Sequence, residues 1–103
     1  MTKDTSDRSV ADISEPKAMV LAERLDSKAA DDLLAALLAH MGGPISLDAS
    51  RVQSLGALCA GILLSAAKTW KDAGLPFALA NLSERCRADL ALMGLTETRF
   101  EEF

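Results

Sequence analysis

Short apolar runs alternate along this chain with longer helical patterns, and this alternation limits its fold more than any other feature. The apolar runs are Ala18–Leu25, Ile45–Leu47 and Phe77–Ala80, each bounded by turn-forming residues. Between them, residues 27–41 and 56–73 repeat apolar positions at spacings of three and four, which is typical of helices that pack through one face. Strands separated by helices predict a mostly parallel sheet with right-handed crossovers.

The two ends of the chain add further elements. Ser9–Ser14 alternates apolar and polar residues and is followed by a Glu-Pro-Lys turn, which predicts an antiparallel hairpin with Ala18–Leu25. Ser83 is a good cap for a third helix that ends at Gly94, and the tail Glu97–Phe103 is expected to add a last helical turn. We therefore predict an α/β fold: a mixed, mostly parallel sheet of four to five strands, with an N-terminal antiparallel hairpin and three to four helices.

Size and charge limit the number of domains and the class of partner. The 103 residues, 50% of them hydrophobic, suffice for one core, and we predict a flexible N-terminus over residues 1–8 and a single domain over 9–103. The net charge of -4 leaves no basic stripe that would bind nucleic acid or an anionic membrane surface. The longest apolar stretch, Leu55–Ala67, is about 13 residues long and too short for membrane insertion, which takes roughly 20. Because Met1–Ser14 does not resemble a secretory signal, we expect a cytoplasmic protein.

Residues that carry chemistry are sparse. His40 is the only histidine and lies near the end of the first predicted helix, while Cys59 and Cys86 lie in apolar helical patterns without further metal ligands. Asp48 follows a strand and is interpreted as a loop cap. The chain contains no phosphate-binding loop, dinucleotide fingerprint or metal-ligand spacing. We therefore expect no catalytic residues, no cofactor and no metal, and we predict that the protein is not an enzyme.

Three blocks of residues resemble the STAS domain, the fold of anti-sigma factor antagonists. The segment from Leu47 to Cys59 resembles the family signature, a strand ending in Asp-Leu-Ser-x-Val-x-x-Ile/Leu-Asp-Ser-Ser-Gly, and it matches that signature at Asp48, Ser50, Val52 and Leu55. Leu25–Asp26 is similar to the family's entry into its first helix, and Asn81–Leu95 resembles its Ser-capped last block. The resemblance covers about residues 9–96 and implies a protein-binding module.

The chain departs from the family at the phosphorylation site. In relatives regulated by phosphorylation, the acceptor is the first serine after the second Asp of the signature, at the start of the second helix. Gly56 stands here for that Asp, Ala57 for the acceptor serine, Leu58 for the next serine and Cys59 for the glycine. The resemblance therefore implies a domain without the usual acceptor, and Ser50 and Ser54 are less favoured substitutes. The sequence Leu-Gly-Ala-x-Cys at this position also resembles that of STAS proteins encoded in bacterial chemotaxis gene clusters.

The second helix carries unusually few polar groups in its first two turns. Its predicted core stripe consists of Leu58, Cys59, Ile62, Ala66, Thr69, Trp70 and Ala73, and its other side offers Ala57, Ala60, Gly61 and Leu64. Small residues of this kind either let the helix pack closely within the domain or form a docking patch. The resemblance favours docking, and the predicted partner-binding residues are Ser54, Gly56, Ala57, Leu58, Ala60, Gly61 and Leu64.

The leading hypothesis is thus a non-enzymatic regulatory module of bacterial signalling, in chemotaxis or anti-sigma partner switching. The partner expected from the resemblance is a GHKL-type kinase or a component of a signalling array. The alternative is a STAS-type accessory subunit of an ABC transport complex, and homodimerisation through the same patch also stays open.

Overall fold

The structure is a computed structural model, and it describes residues 17–101 of the chain. The predicted hairpin strand Ser9–Ser14 and the segment 1–8 lie outside these residues. The elements, in chain order, are β1 (Lys17–Val20), β2 (Arg24–Leu25), a 3-10 turn (Ser27–Ala29), α1 (Ala30–Ala39), β3 (Ile45–Asp48), β4 (Ser54–Leu55), α2 (Ala57–Asp72), β5 (Phe77–Ala80), α3 (Glu84–Leu92) and a 3-10 turn (Glu97–Glu101).

The main sheet is parallel, as predicted. β3 lies in its centre between β1 and β5, with Ile45 opposite both Lys17 and Phe77. Ile45 and Leu47 of β3 are fully buried, because the central strand carries their side chains into the core. The loops at the carboxyl end of this sheet lead into β4 and α3.

The prediction of a single strand over Ala18–Leu25 is wrong, because the structure has two separate strands there, β1 and β2. The N–H of Leu21 donates to the carbonyl of Asp48 and closes the pairing of β1 with β3. The chain then turns, and β2 pairs in parallel with β4 in a second sheet. The strands of residues 17–101 are therefore divided between a three-stranded and a two-stranded sheet, and every pairing among them is parallel.

The first helix begins where the sequence predicts but buries only half of its apolar stripe. The Asp26 carboxylate accepts hydrogen bonds from the N–H groups of Lys28 and Ala29, at 3.0 and 3.1 Å, and so caps the turn that precedes α1. The predicted inward face divides in two: Ala30, Leu33 and Leu37 are buried, whereas Leu34, Leu38 and Met41 are about half exposed. The reason is that six apolar positions cover more of the helix circumference than its neighbours can bury.

The second helix spans the predicted range but is rotated relative to the predicted stripe. Its buried residues are Cys59, Ala60, Leu63, Ala66, Ala67 and Trp70. Leu58, Thr69 and Ala73, which the pattern placed inward, are exposed. α2 packs against β5 and also against the C-terminal 3-10 turn, which carries the buried Phe100. The sequence predicts this turn but not where it packs. The helical pattern therefore could not show which side of α2 the turn covers.

The ends of α2 and α3 follow the prediction closely. Gly74 and Gly94 adopt positive φ angles of 73° and 74°, and the residue after each donates its N–H to a carbonyl near the helix end. The Ser83 hydroxyl accepts the N–H of Cys86 and donates to the carbonyl of Val52, which fixes the start of α3 to the loop before β4. The expected last helical turn is the 3-10 turn at Glu97–Glu101.

Candidate functional site

The start of α2 is held in place by backbone contacts to the end of β2. Gly56 is extended, with φ -88° and ψ 167°, and its N–H donates to the Leu25 carbonyl at 2.9 Å. A Cβ on Gly56 would lie 3.4 Å from that same carbonyl oxygen, which is an ordinary van der Waals contact. α2 therefore begins at Ala57, which is exposed.

Ala57 lies between two apolar depressions of the surface. The first, which we call the α1–α2 groove, has a volume of about 500 Å³. Its lining is Leu34, Leu37, Leu38 and Met41 from the α1 side, and Ala57, Leu58, Gly61, Ile62, Ser65, Ala66, Thr69 and Trp70 from α2. The second, which we call the β4–α3 cleft, has a volume of about 360 Å³ and is lined by Asp26, Ser54, Leu55, Gly56, Ala57, Asp89, Leu92 and Met93. Ala57 belongs to both linings.

The exposed apolar side chains concentrate around these two depressions. Six large apolar side chains are exposed among residues 17–101, and all except Val20 line the groove or the cleft. They are Leu34, Leu38, Met41 and Leu58 in the groove, at 45 to 56% exposure, and Leu92 in the cleft, at 86%. Large contiguous patches of exposed apolar surface are typical of protein interaction sites.

The predicted partner-binding residues divide into two groups. Ser54, Gly56, Ala57, Leu58 and Gly61 line the groove or the cleft. Ala60 is 2% exposed and belongs to the core, so its assignment to the binding surface is wrong. Leu64 is half-buried and packs against the core, which removes it as the exposed anchor that the sequence pattern suggested. The rotation of α2 explains both corrections.

Sequence reasoning missed Leu34, Leu38, Met41 and Leu92. The first three follow the helical period of α1 and were therefore assigned to the core. The unusual width of this apolar stripe could have indicated that part of it is exposed. Leu92 lies outside the inward stripe of α3 formed by Cys86 and Leu90, so its position on the helix already indicated an exposed leucine.

Two carboxylates border the cleft, and both are engaged by backbone groups. Asp89 is 18% exposed and accepts the N–H of Leu55 at 2.8 Å, with the guanidinium of Arg85 3.6 Å from its other oxygen. Asp26 caps the turn before α1, and its carbonyl accepts the thiol of Cys59 at 3.3 Å. The Asp89 contact therefore joins α3 to β4, and the Asp26 contacts join the turn before α1 to the start of α2.

The carboxylate of Asp48 caps its own loop, as the sequence suggested. It accepts the N–H of Ser50 at 2.9 Å, and this hydrogen bond holds the pKa of Asp48 below its usual range. Ser50 is exposed in this loop, whereas Ser54 lies in β4 and lines the cleft. Of the two serines named as substitute acceptors, Ser54 is thus the one beside Ala57.

The remaining reactive groups are buried or dispersed. Burial raises the pKa of the Cys59 and Cys86 thiols, which therefore stay protonated at neutral pH. Residues 17–101 bring together no cluster of three or more His, Cys, Asp or Glu side chains that could hold a metal ion. None of the helices in the same range is both long and apolar enough to cross a membrane.

Comparison with known proteins gives one match. A protein-family model described as "Mlab, STAS domain" matches residues 10–101. No curated protein and no solved structure is significantly similar to the chain. The matched range covers nearly the whole sequence, including both depressions.

Proposed function

The chain belongs to the STAS domain family, and we propose that it is a non-enzymatic protein-binding module of bacterial signalling, whose partner docks around the start of α2. STAS domains are generally non-catalytic binding modules. The observation that carries the proposal is the concentration of exposed leucine and methionine side chains in the groove and the cleft, which meet at Ala57.

The same position supports a binding mode without the phosphorylation switch of other STAS domains. Ala57 is the first residue of α2 and is exposed, and the resemblance from Asp48 to Cys59 suggests that it stands where the family signature has its acceptor serine. A phosphate at this helix start would interact favourably with the N-terminal dipole, but alanine has no hydroxyl that could carry it. Control of binding therefore acts on the partner or on its supply.

An affinity purification from cells of the source organism tests the proposal. The tagged full chain serves as bait, alongside Ala57→Glu and Leu92→Asp, which place a charge on the surface. Ala73→Glu is the matched control, because it adds the same side chain at the other, exposed end of α2. We expect partners identified by mass spectrometry to be retained by the wild type and by Ala73→Glu and to be lost with the other two variants.

The identity of the retained protein decides between the two functional classes. A GHKL-type kinase or a signalling-array component supports the regulatory role in chemotaxis or anti-sigma partner switching. Retention of an ATPase subunit supports the alternative, an accessory subunit of an ABC transport complex. Partners that bind all four baits equally contradict the proposed surface, provided that circular dichroism shows the variants to be folded.

A further inference from the structure

β5 is an edge strand of the main sheet, and its outer side pairs with no other strand of residues 17–101. The N–H of Ile45 in β3 donates to the carbonyl of Pro76, and Ile45 lies opposite Phe77. In a parallel ladder this register directs the N–H and C=O groups of Phe77 and Leu79 away from β3. The outer side of β5 therefore presents backbone groups that could pair with a strand of another chain.

The sequence of β5 lacks the charges and bulges that protect many edge strands. Phe77–Ala80 reads Phe-Ala-Leu-Ala, and it pairs regularly with β3 along its whole length. Pro76 precedes the strand, but its carbonyl faces β3, so it does not block the outer side. Ala78 is exposed. A strand of this kind can still be protected if a helix or loop covers its edge.

The C-terminal 3-10 turn lies beside this edge. Its main neighbours are β5 and α2. The ring of Trp70 in α2 contacts that of Phe77, with centroids 6.1 Å apart, so α2 lies over one face of β5. Because β3 fills the inner side of β5 and is not among the main neighbours of the turn, the turn lies towards the outer side.

Phe100 anchors the turn to the domain. Its side chain is 3% exposed and belongs to the hydrophobic core, whereas Thr98 and Arg99 of the same turn are exposed. The N–H of Arg99 donates to the carbonyl of Thr96, which is a bond within the turn region itself. The position of the turn beside β5 therefore depends on the burial of Phe100.

We propose that the C-terminal 3-10 turn guards the edge of β5 and so keeps the domain from pairing with a second copy of itself. The strand that it excludes is β5 of another copy, in antiparallel orientation about a two-fold axis. Two identical edges are complementary in this arrangement, because each presents the N–H and C=O groups of Phe77 and Leu79 to the other. The proposal is independent of the proposed function, since no residue of β5 lines the groove or the cleft.

Light scattering of the full chain over a range of concentrations tests the proposal. Phe100→Ala removes the anchor, and Phe100→Leu weakens it but keeps a large apolar side chain, so that it decides the outcome if Phe100→Ala does not fold. Circular dichroism shows which variants are folded. Ala78→Lys adds a charge at an exposed position of β5 and blocks edge pairing. Ala88→Lys is the matched control, because it adds the same side chain at an exposed position of α3.

We expect the wild type to be monomeric and the folded Phe100 variants to dimerise at least about tenfold more tightly than the wild type. Adding Ala78→Lys should abolish the dimer, and adding Ala88→Lys should preserve it. Folded Phe100→Leu that dimerises no more than the wild type, or a dimer that persists with Ala78→Lys, would overturn the proposal. A wild-type dimer that Ala78→Lys abolishes would also overturn it, because the edge would then be open with the turn in place.

Discussion

The carboxylate of Asp89 in α3 accepts the backbone N–H of Leu55 in β4, at 2.8 Å. Leu55 already pairs with β2 on its other side, so this bond fastens the two-stranded sheet to α3. Because Leu55 is itself only 5% exposed, its N–H would have little access to water if this carboxylate were removed. The contact fixes the cleft on one side of Ala57.

We expect Asp89→Ala to lower the free energy of unfolding by about 1–3 kcal/mol, the cost of leaving a partly buried donor without its charged acceptor. Arg85→Ala removes only the largely exposed ion pair with Asp89 and leaves the hydrogen bond to Leu55 in place. We expect this variant to lower the free energy of unfolding by about 1 kcal/mol or less. Urea denaturation followed by circular dichroism measures both. Equal losses in the two variants would show that the hydrogen bond to Leu55 contributes little.

Most of the fold could be predicted because its signals are local. Ser83 and Asp26 are caps whose side chains bond the nearest N–H groups, and Gly74 ends α2 by adopting a positive φ. The two-residue strands β2 and β4 gave no comparable signal, since a pairing this short has no periodicity. Their positions depend on tertiary contacts, such as the bond from Leu55 to Asp89.

The candidate site could be predicted only in part, for a related physical reason. The resemblance to the STAS signature located the start of α2, and Ala57 and Leu58 are exposed there. The rotation of α2 depends on the elements packed against it, so Ala60 was placed on the wrong side. The contribution of α1 was missed because a periodic apolar stripe does not reveal how much of it the neighbouring elements cover.

The stability of the domain should depend on the ionisation of Asp48. The N–H of Ser50 lowers the folded-state pKa of this carboxylate below its ordinary value of 3.8. The stabilisation is therefore complete well above pH 3.8 and is lost as the pH falls through the lower, folded-state pKa. Asp48→Asn keeps an acceptor oxygen but does not titrate. The difference in unfolding free energy between the wild type and this variant should shrink as the pH falls from about 5 to about 2.5; a constant difference would contradict the assignment.

Both cysteines should be unreactive in the folded protein. Cys59 is 0% and Cys86 1% exposed, and burial raises the pKa of each thiol, so little thiolate exists and reagents cannot reach it. We expect labelling by iodoacetamide at pH 8 to be at least a hundredfold slower than in urea-unfolded protein, as followed by mass spectrometry. Labelling of either thiol at the unfolded rate would contradict the burial of its helix.

Gly61→Ala and Gly74→Ala should change stability in opposite directions. The Cβ of an alanine at position 61 has open space around it, and the helical backbone suits it, so Gly61→Ala should raise the free energy of unfolding by about 0.5–1 kcal/mol. An alanine at position 74 must adopt a φ of 73°, which costs roughly 1–2 kcal/mol. Thermal and urea denaturation of the two variants measure the difference. If Gly61→Ala destabilised the domain, the space around the Gly61 Cβ would not be open in the folded protein.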